Sequence, residues 1–92
     1  MDTFAKLDWS LVQTFLAVGE SGSLSEAARR LNISQPTAGR QVKQMEEALD
    51  VTLFHRQARG LSLTEAGTAL MPHARTMAES LNALSLAAAG RS

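Results

Sequence analysis

The chain has 92 residues, is 45% hydrophobic with three Phe and one Trp, contains no cysteine, and sets nine Lys or Arg against nine Asp or Glu. That length suits one small domain that buries about 60 to 65% of its unfolded surface, with a core of Leu, Ala, Val and Met that favours helices. The missing thiols exclude a disulfide framework, a thiolate zinc site and a cysteine nucleophile; Asp8 and polar residues break the stretch from Leu7 to Glu20, so neither a membrane span nor a signal peptide is read and a cytosolic protein is expected.

Asp8 caps a first helix whose inward residues Leu11, Val12, Phe15, Leu16 and Val18 follow a 3.6-residue period, and Gly22 stops it in a left-handed turn. Ser23-Leu24-Ser25-Glu26 then forms a capping box, in which hydroxyl and carboxylate satisfy each other's free backbone N–H groups. The second helix carries Leu24, Ala27, Ala28 and Leu31 at i, i+3, i+4 and i+7, and Asn32 ends it. Ile33 is expected to be buried inside the following turn.

Ser34 caps a third helix, with Pro36 tolerated in its first turn. Ala38, Val42, Met45 and Leu49 make its inward stripe, so at about 100° per residue Pro36, Arg40, Lys43 and Glu47 face outward, flanked by Thr37 and Gln44. Thr52 to Arg56 and Leu61 to Leu63 read as a small hairpin around Gln57-Ala58-Arg59-Gly60, with Gly60 supplying the turn and Arg59 at the tip. The last helix starts near Thr64, with either Thr64 or a Ser62-to-Glu65 box as its cap, and extends to about Ala89. At about 39 Å it outruns the available core. Its stripe of Leu70, Ala74, Met77, Leu81, Leu84 and Ala88, spaced 4, 3, 4, 3 and 4, predicts pairing with a second copy, and Pro72 predicts a bend or loosened turn.

Charge is neutral in sum and sorted in sequence. From Ala27 to Gln44 the ionised residues are Arg29, Arg30, Arg40 and Lys43, and from Val51 to Thr64 they are Arg56 and Arg59, with no acid in either segment. Such local positive regions point to an anionic partner met by one face. Two helices joined by a short turn, the second with a basic outward half, are the layout of a helix-turn-helix DNA reader. A B-form major groove admits one helix, where the Gln35 amide suits adenine, the Arg40 guanidinium suits guanine O6 and N7, and Thr37 suits phosphate or a thymine methyl. The helix start near Ser34 favours a phosphate oxygen, and the hairpin becomes a wing whose Arg59 suits a narrow A·T-rich minor groove. Arg56 has two readings, DNA contact or a structural pairing with an acid between Glu46 and Asp50. Arg29 and Arg30 read as surface charge, and Ser23 and Ser25 as capping residues. His55 and His73 are too far apart and too alone to suggest a metal site. No nucleophile elbow, dinucleotide loop, phosphate loop or HExxH pair occurs, so no catalytic residues are assigned. A helical dimerisation module without DNA binding is the alternative; it explains the heptad but gives the outward helix face and wing no cause.

The segments Ser23-Leu24-Ser25-Glu26-Ala27-Ala28-Arg29-Arg30-Leu31, Ile33-Ser34-Gln35-Pro36-Thr37, Met45-Glu46, Leu53-Phe54-His55-Arg56 and Leu63-Thr64-Glu65-Ala66-Gly67 resemble the N-terminal DNA-binding domain of LysR-type transcriptional regulators, over nearly the whole chain from about Leu11. The resemblance implies a mainly α fold: a winged helix-turn-helix of three helices and a two-stranded wing over 1–63, then a linker helix over 64–92 that pairs with its copy. It implies major-groove approach by Gln35, Pro36, Thr37 and Arg40, with Lys43 and Ser34 beside them, and backbone or minor-groove contact by Arg56 and Arg59. It also implies a bacterial cytoplasmic regulator, at the nucleoid when bound, that is a homodimer on double-stranded DNA, with a tetramer open to the full-length protein. Many members carry serine just before the recognition-helix arginine. This chain has Gly39, which removes a hydroxyl and costs the helix up to about 1 kcal/mol relative to alanine. Members also carry a larger C-terminal domain that binds a small effector. Nothing follows Ser92, so the chain reads as a DNA-binding piece with no cofactor of its own.

Overall fold

The computed structural model describes residues 7–91. The first six residues of the 1–63 segment and Ser92 of the 64–92 segment lie outside them. The elements are α1 (Trp9–Ser21), α2 (Leu24–Leu31), α3 (Gln35–Leu49), β1 (Phe54–Gln57), β2 (Gly60–Leu63) and α4 (Glu65–Ala89). Each helix start is closed by a side chain placed for it. Asp8 accepts the Leu11 N–H at 3.1 Å, Ser23 that of Glu26 at 3.1 Å, Ser34 that of Thr37 at 3.2 Å and Thr64 that of Gly67 at 3.0 Å. Gly22, at φ 71°, ends α1, while Asn32 and Asp50, at 59° and 56°, end α2 and α3 in the left-handed region that short polar side chains tolerate.

Only half of the expected capping box forms. The Ser23 N–H goes to Ser21 Oγ at 3.3 Å, and Glu26 turns instead to Arg29 and Arg30, whose guanidinium groups at i+3 and i+4 offer charge-assisted bonds stronger than a neutral N–H. Ile33 is half-buried rather than buried, because its neighbours Asn32 and Ser34 are exposed and the turn runs along the surface.

α1 is the centre of the domain. Leu11, Val12 and Phe15 join Met45 of α3, Leu53, and Met71 and Ala74 of α4 in one buried cluster; Ala17 and Val18 join Ala27 of α2 and Val42 of α3 in another. Phe54 packs against both, with its ring 5.7 Å from that of Phe15 and tilted by 57°. Between the clusters the buried Thr14 hydroxyl donates to the Gln41 side chain of α3.

The wing is antiparallel, pairing Phe54 with Leu63, His55 with Ser62, Arg56 with Leu61 and Gln57 with Gly60. Its turn is therefore Ala58-Arg59, shorter than the four residues expected, since Gln57 and Gly60 are paired. The first strand begins at Phe54 rather than Thr52 because the preceding backbone is engaged elsewhere. The Leu53 N–H donates to Glu46 at 2.8 Å, its carbonyl accepts from Thr64 at 2.9 Å, and the Thr52 carbonyl accepts the Thr64 hydroxyl at 2.6 Å.

The 25 residues of α4 continue through Pro72 as one helix, with the exposed Pro72 carbonyl accepting the Thr76 hydroxyl at 3.0 Å. Gly67, Met71 and Ala74 are its buried residues, so the beginning of α4 shares the core of the winged domain.

Phe15 is fully buried at the junction of α1, α3 and the wing. Phe15→Ala should destabilise the fold by about 3 to 5 kcal/mol, read as a shift in the urea unfolding midpoint.

Candidate nucleic-acid interface

Burial of Ala38, Val42 and Met45 turns the other side of α3 to solvent, where Gln35, Pro36, Arg40, Lys43, Gln44 and Glu47 are exposed and Thr37 is half-buried. At the helix start the polar side chains are connected. The Ser34 hydroxyl donates to Thr37 Oγ1 at 2.8 Å, and Arg40 Nη2 donates to the same oxygen at 3.2 Å. Thr37 Oγ1 thus accepts twice, and no bond donated by its own hydroxyl is seen among the described residues. The first turn of α3 contains no acid, while α2 and α4 carry Glu26 and Glu65 there. The unbonded N–H groups and positive helix end are therefore unneutralised at Ser34 and Gln35.

Among the described residues the ion pairs are Arg29–Glu26 at 2.7 Å, Arg30–Glu26 at 3.2 Å and Arg75–Glu20 at 3.6 Å. Hydrogen bonds from Arg29 and then Arg30 hold the Glu26 carboxyl below the usual carboxylate range, and the same bond raises Arg29. Arg40, Lys43, Arg56 and Arg59 are exposed and belong to none of these pairs. The structural reading of Arg56 is thereby corrected: Glu46 holds the Leu53 N–H instead, and Arg56 makes no ion pair among the described residues.

Two shallow grooves separate α3 from the wing. One is lined by Gly39, Lys43, Glu46, Phe54, Arg56 and Leu61 among others; the second, more polar, is lined by Ser23, Ser25, Gln35, Arg56, Gln57 and Arg59 among others. Arg56 borders both. Gln35 and Arg59, 24 positions apart, therefore border the same groove, and with them come the hydroxyls of Ser23 and Ser25, 3.0 Å apart, which the sequence reading assigned only to capping. The cap pattern is local, whereas the return of the wing over it is not. At Gly39 an added Cβ would meet only Leu24 Cδ1, at 3.8 Å, so crowding does not explain the glycine.

The long-helix stripe divides. Ala74 is 3% exposed within the core of its own chain and Leu70 packs against that core, so these two are occupied internally. Met77, Leu81 and Leu84 are 45, 43 and 66% exposed, and Ala88 is also exposed. Leu86, off the stripe, is 66% exposed. Trp9, which the heptad did not include, lines an apolar groove with Met77, Leu81 and Leu84. His55 and His73 join no group of three or more His, Cys, Asp or Glu suited to a metal among the described residues, and none of the described helices is long and apolar enough to cross a membrane.

Three helices, a two-stranded wing and a cationic outward helix face define a winged helix-turn-helix DNA-binding domain. A family model described as bacterial regulatory helix-turn-helix protein, lysR family, matches residues 9–68, and the chain belongs to that family. It is 45% identical over 73 residues to the HTH-type transcriptional regulator TfdS of Cupriavidus pinatubonensis (strain JMP 134 / LMG 1197), covering 79% of this chain and 25% of that protein. It is likewise 45% identical over 64 residues to the regulator AlsR of Bacillus subtilis (strain 168), covering 70% of this chain and 21% of AlsR. Among solved structures, that of the CbnR_DBD–DNA complex is similar with a TM-score of 0.82 and 34% identity, covering 92% of this chain and 98% of that one. That of the BenM_DBD/benA site 1 DNA complex has a TM-score of 0.85 and 26% identity, covering 94% and 100%. Both relatives are HTH-type transcriptional regulators, and the chain spans 25% of the length of TfdS.

Ser34→Ala removes both the α3 cap and a donor to Thr37. It should cost about 1 kcal/mol of stability in chemical denaturation.

Proposed function

We propose that this chain reads double-stranded DNA for a LysR-type regulator by seating the start of α3 in a major groove and the wing at the adjacent minor groove. The observation that carries the reading is the sorting of charge. Arg29, Arg30 and Arg75 meet acids, while among the described residues Arg40, Lys43, Arg56 and Arg59 are exposed on α3 and the wing and form no ion pair; the one other described cation outside the pairs is Arg91, at the far end of α4. Arg40 is the residue for guanine, Gln35 for adenine, and Pro36 gives apolar contact beside them. Thr37, Ser34 and the free N–H groups hold phosphate, with Lys43 as a further phosphate cation. Arg59 enters the minor groove and Arg56 follows the backbone. The DNA named with the CbnR_DBD and BenM_DBD structures supports this class of partner. A scaffold that never meets DNA gives no reason for four exposed cations outside every ion pair of the described residues to gather on α3 and the wing.

Two copies pair through the exposed part of α4, with Met77, Leu81, Leu84 and Ala88 at the seam and Trp9 beside it. In a full-length bacterial regulator, a tetramer and a small-molecule effector both belong to the C-terminal region, and the protein works in the cytoplasm at the nucleoid. Paired recognition helices then read an inverted or partly symmetric site.

Arg40→Ala should weaken binding to the preferred duplex by about 1 to 3 kcal/mol, whereas a scaffold would be indifferent. With about three phosphates neutralised per subunit, the wild-type slope of log K against log salt should lie near −5, and a slope near zero refutes the electrostatic docking. Leu81→Glu should shift the chain to monomer in analytical ultracentrifugation, and a wild-type chain already monomeric at high concentration refutes pairing through α4.

A further inference from the structure

The wing and the turn between α1 and α2 touch through two glycines. The Gly22 carbonyl accepts the Leu61 N–H at 2.9 Å, immediately after Gly60. Gly22 sits at φ 71° and Gly60 at φ 124°. A Cβ on Gly60 would stand 2.4 Å from the Gly22 oxygen, a distance real Cβ atoms do not reach, and one on Gly22 would stand 3.3 Å from the Leu61 oxygen. At both positions the backbone needs an angle open to glycine, and at both a side chain would enter the space of the other strand of chain.

The hairpin ladder does not require this contact, because pairing of Gln57 with Gly60 joins strand to strand and not the hairpin to the body. The other backbone anchors, Leu53 to Glu46 and Thr64 to Thr52 and Leu53, all lie at the open end of the wing. Among the described residues, the Gly22 bond is the backbone anchor that lies beside the tip, next to the Ala58-Arg59 turn. A two-stranded hairpin is marginal on its own, and although Phe54, Leu61 and Leu63 pack against the core, that apolar hold is non-directional, so the Gly22 bond supplies the directional anchor near the tip. A clamp at its tip fixes the wing arginine before DNA arrives, so its ordering is not charged against binding.

We propose that the Gly22–Gly60 contact is a positioning device that sets where the wing arginine meets the duplex relative to α3. This rests on the proposed docking of α3 and the wing, and the experiment separates the two. Affinities of the full chain are measured by fluorescence anisotropy on a duplex selected from a random pool, flanked by either A·T or G·C pairs. Arg59→Ala should lose about tenfold on the A·T flank and little on the G·C flank. Gly60→Ala should lose about as much with the same flank dependence, and the double variant should stay near tenfold rather than approach the hundredfold of independent sites. Additive losses, or a Gly60→Ala loss equal on both flanks, overturn the proposal. If Gly60→Ala does not fold by circular dichroism, Gly22→Asn serves: asparagine keeps the left-handed cap, and its Cβ at 3.3 Å shifts the wing only slightly. It should lose a few-fold on the A·T flank alone, and no loss or a flank-independent one overturns the proposal. Gly60→Ala neutral beside a harmful Arg59→Ala sinks only this inference; Arg59→Ala neutral on both flanks sinks the wing contact as well.

Discussion

What α3 shows to solvent is decided by what it buries against α1. Ala38, Val42 and Met45 are the buried residues of a 15-residue helix, and a rotation by one position would carry Arg40 or Lys43 toward the core. Apolar packing is non-directional and by itself tolerates some rotation. The hydrogen bond from Thr14 to Gln41 does not: Thr14 is 1% exposed, and turning α3 would leave its hydroxyl without a partner at about 1 to 3 kcal/mol. Hydrophobic burial therefore selects the inward face, and one buried polar contact fixes its angle.

With that angle set, the charge pattern becomes informative. An acid in the first turn of a helix is favourable by about 0.3 to 1 kcal/mol, and α2 and α4 both have one. α1 and α3 do not, but α1 has the acid Asp8 itself as its cap, whereas α3 is capped by the neutral Ser34. A helix selected only for stability would fill that place. The vacancy, next to Arg40 and across a groove from Arg56 and Arg59, makes sense if an external anion completes the helix end. The same logic separates the arginines: those of α2 converge on Glu26, while Arg56 and Arg59 at the grooves form no ion pair among the described residues, Glu46 of the shared groove holding the Leu53 N–H instead.

The features that the sequence made legible are those governed by neighbours within about one helical turn. Asp8 and Ser34 cap as their spacing predicts, Thr64 is the one of two offered caps that forms, Gly22 and Asn32 stop their helices, and the inward stripes of α1 and α3 are buried at Leu11, Phe15, Val18, Ala38, Val42 and Met45. What escaped depends on contacts distant along the chain. Glu26 chooses two arginines over the Ser23 N–H, Glu46 binds a backbone amide seven residues on rather than Arg56, and Thr64 removes Thr52 and Leu53 from the strand. Ser23 and Ser25 border the candidate site because the wing folds back over a cap, and a capping motif contains no information about that. The heptad failed in a different way: periodicity marks an apolar face and is silent on where one core ends, so Leu70 and Ala74 looked the same as Leu81 and Leu84.

That division of α4 ties dimer geometry to the wing. Up to Ala74 the helix is held by the domain core, and from Leu81 to Arg91 every residue is exposed. A helical stretch of that length is marginal in water without a packing partner, so its helicity and the proposed pairing support each other. Its direction, however, is set at the opposite end. Thr64 bonds both the Thr52 carbonyl and the Gly67 N–H, so the residue that starts α4 also closes the base of the wing. In the proposed dimer the separation of two recognition helices is then transmitted along a continuous helix from a cap that the wing shares. A change at Thr64 would thus alter half-site spacing without touching either the α4 seam or the DNA-facing side of α3.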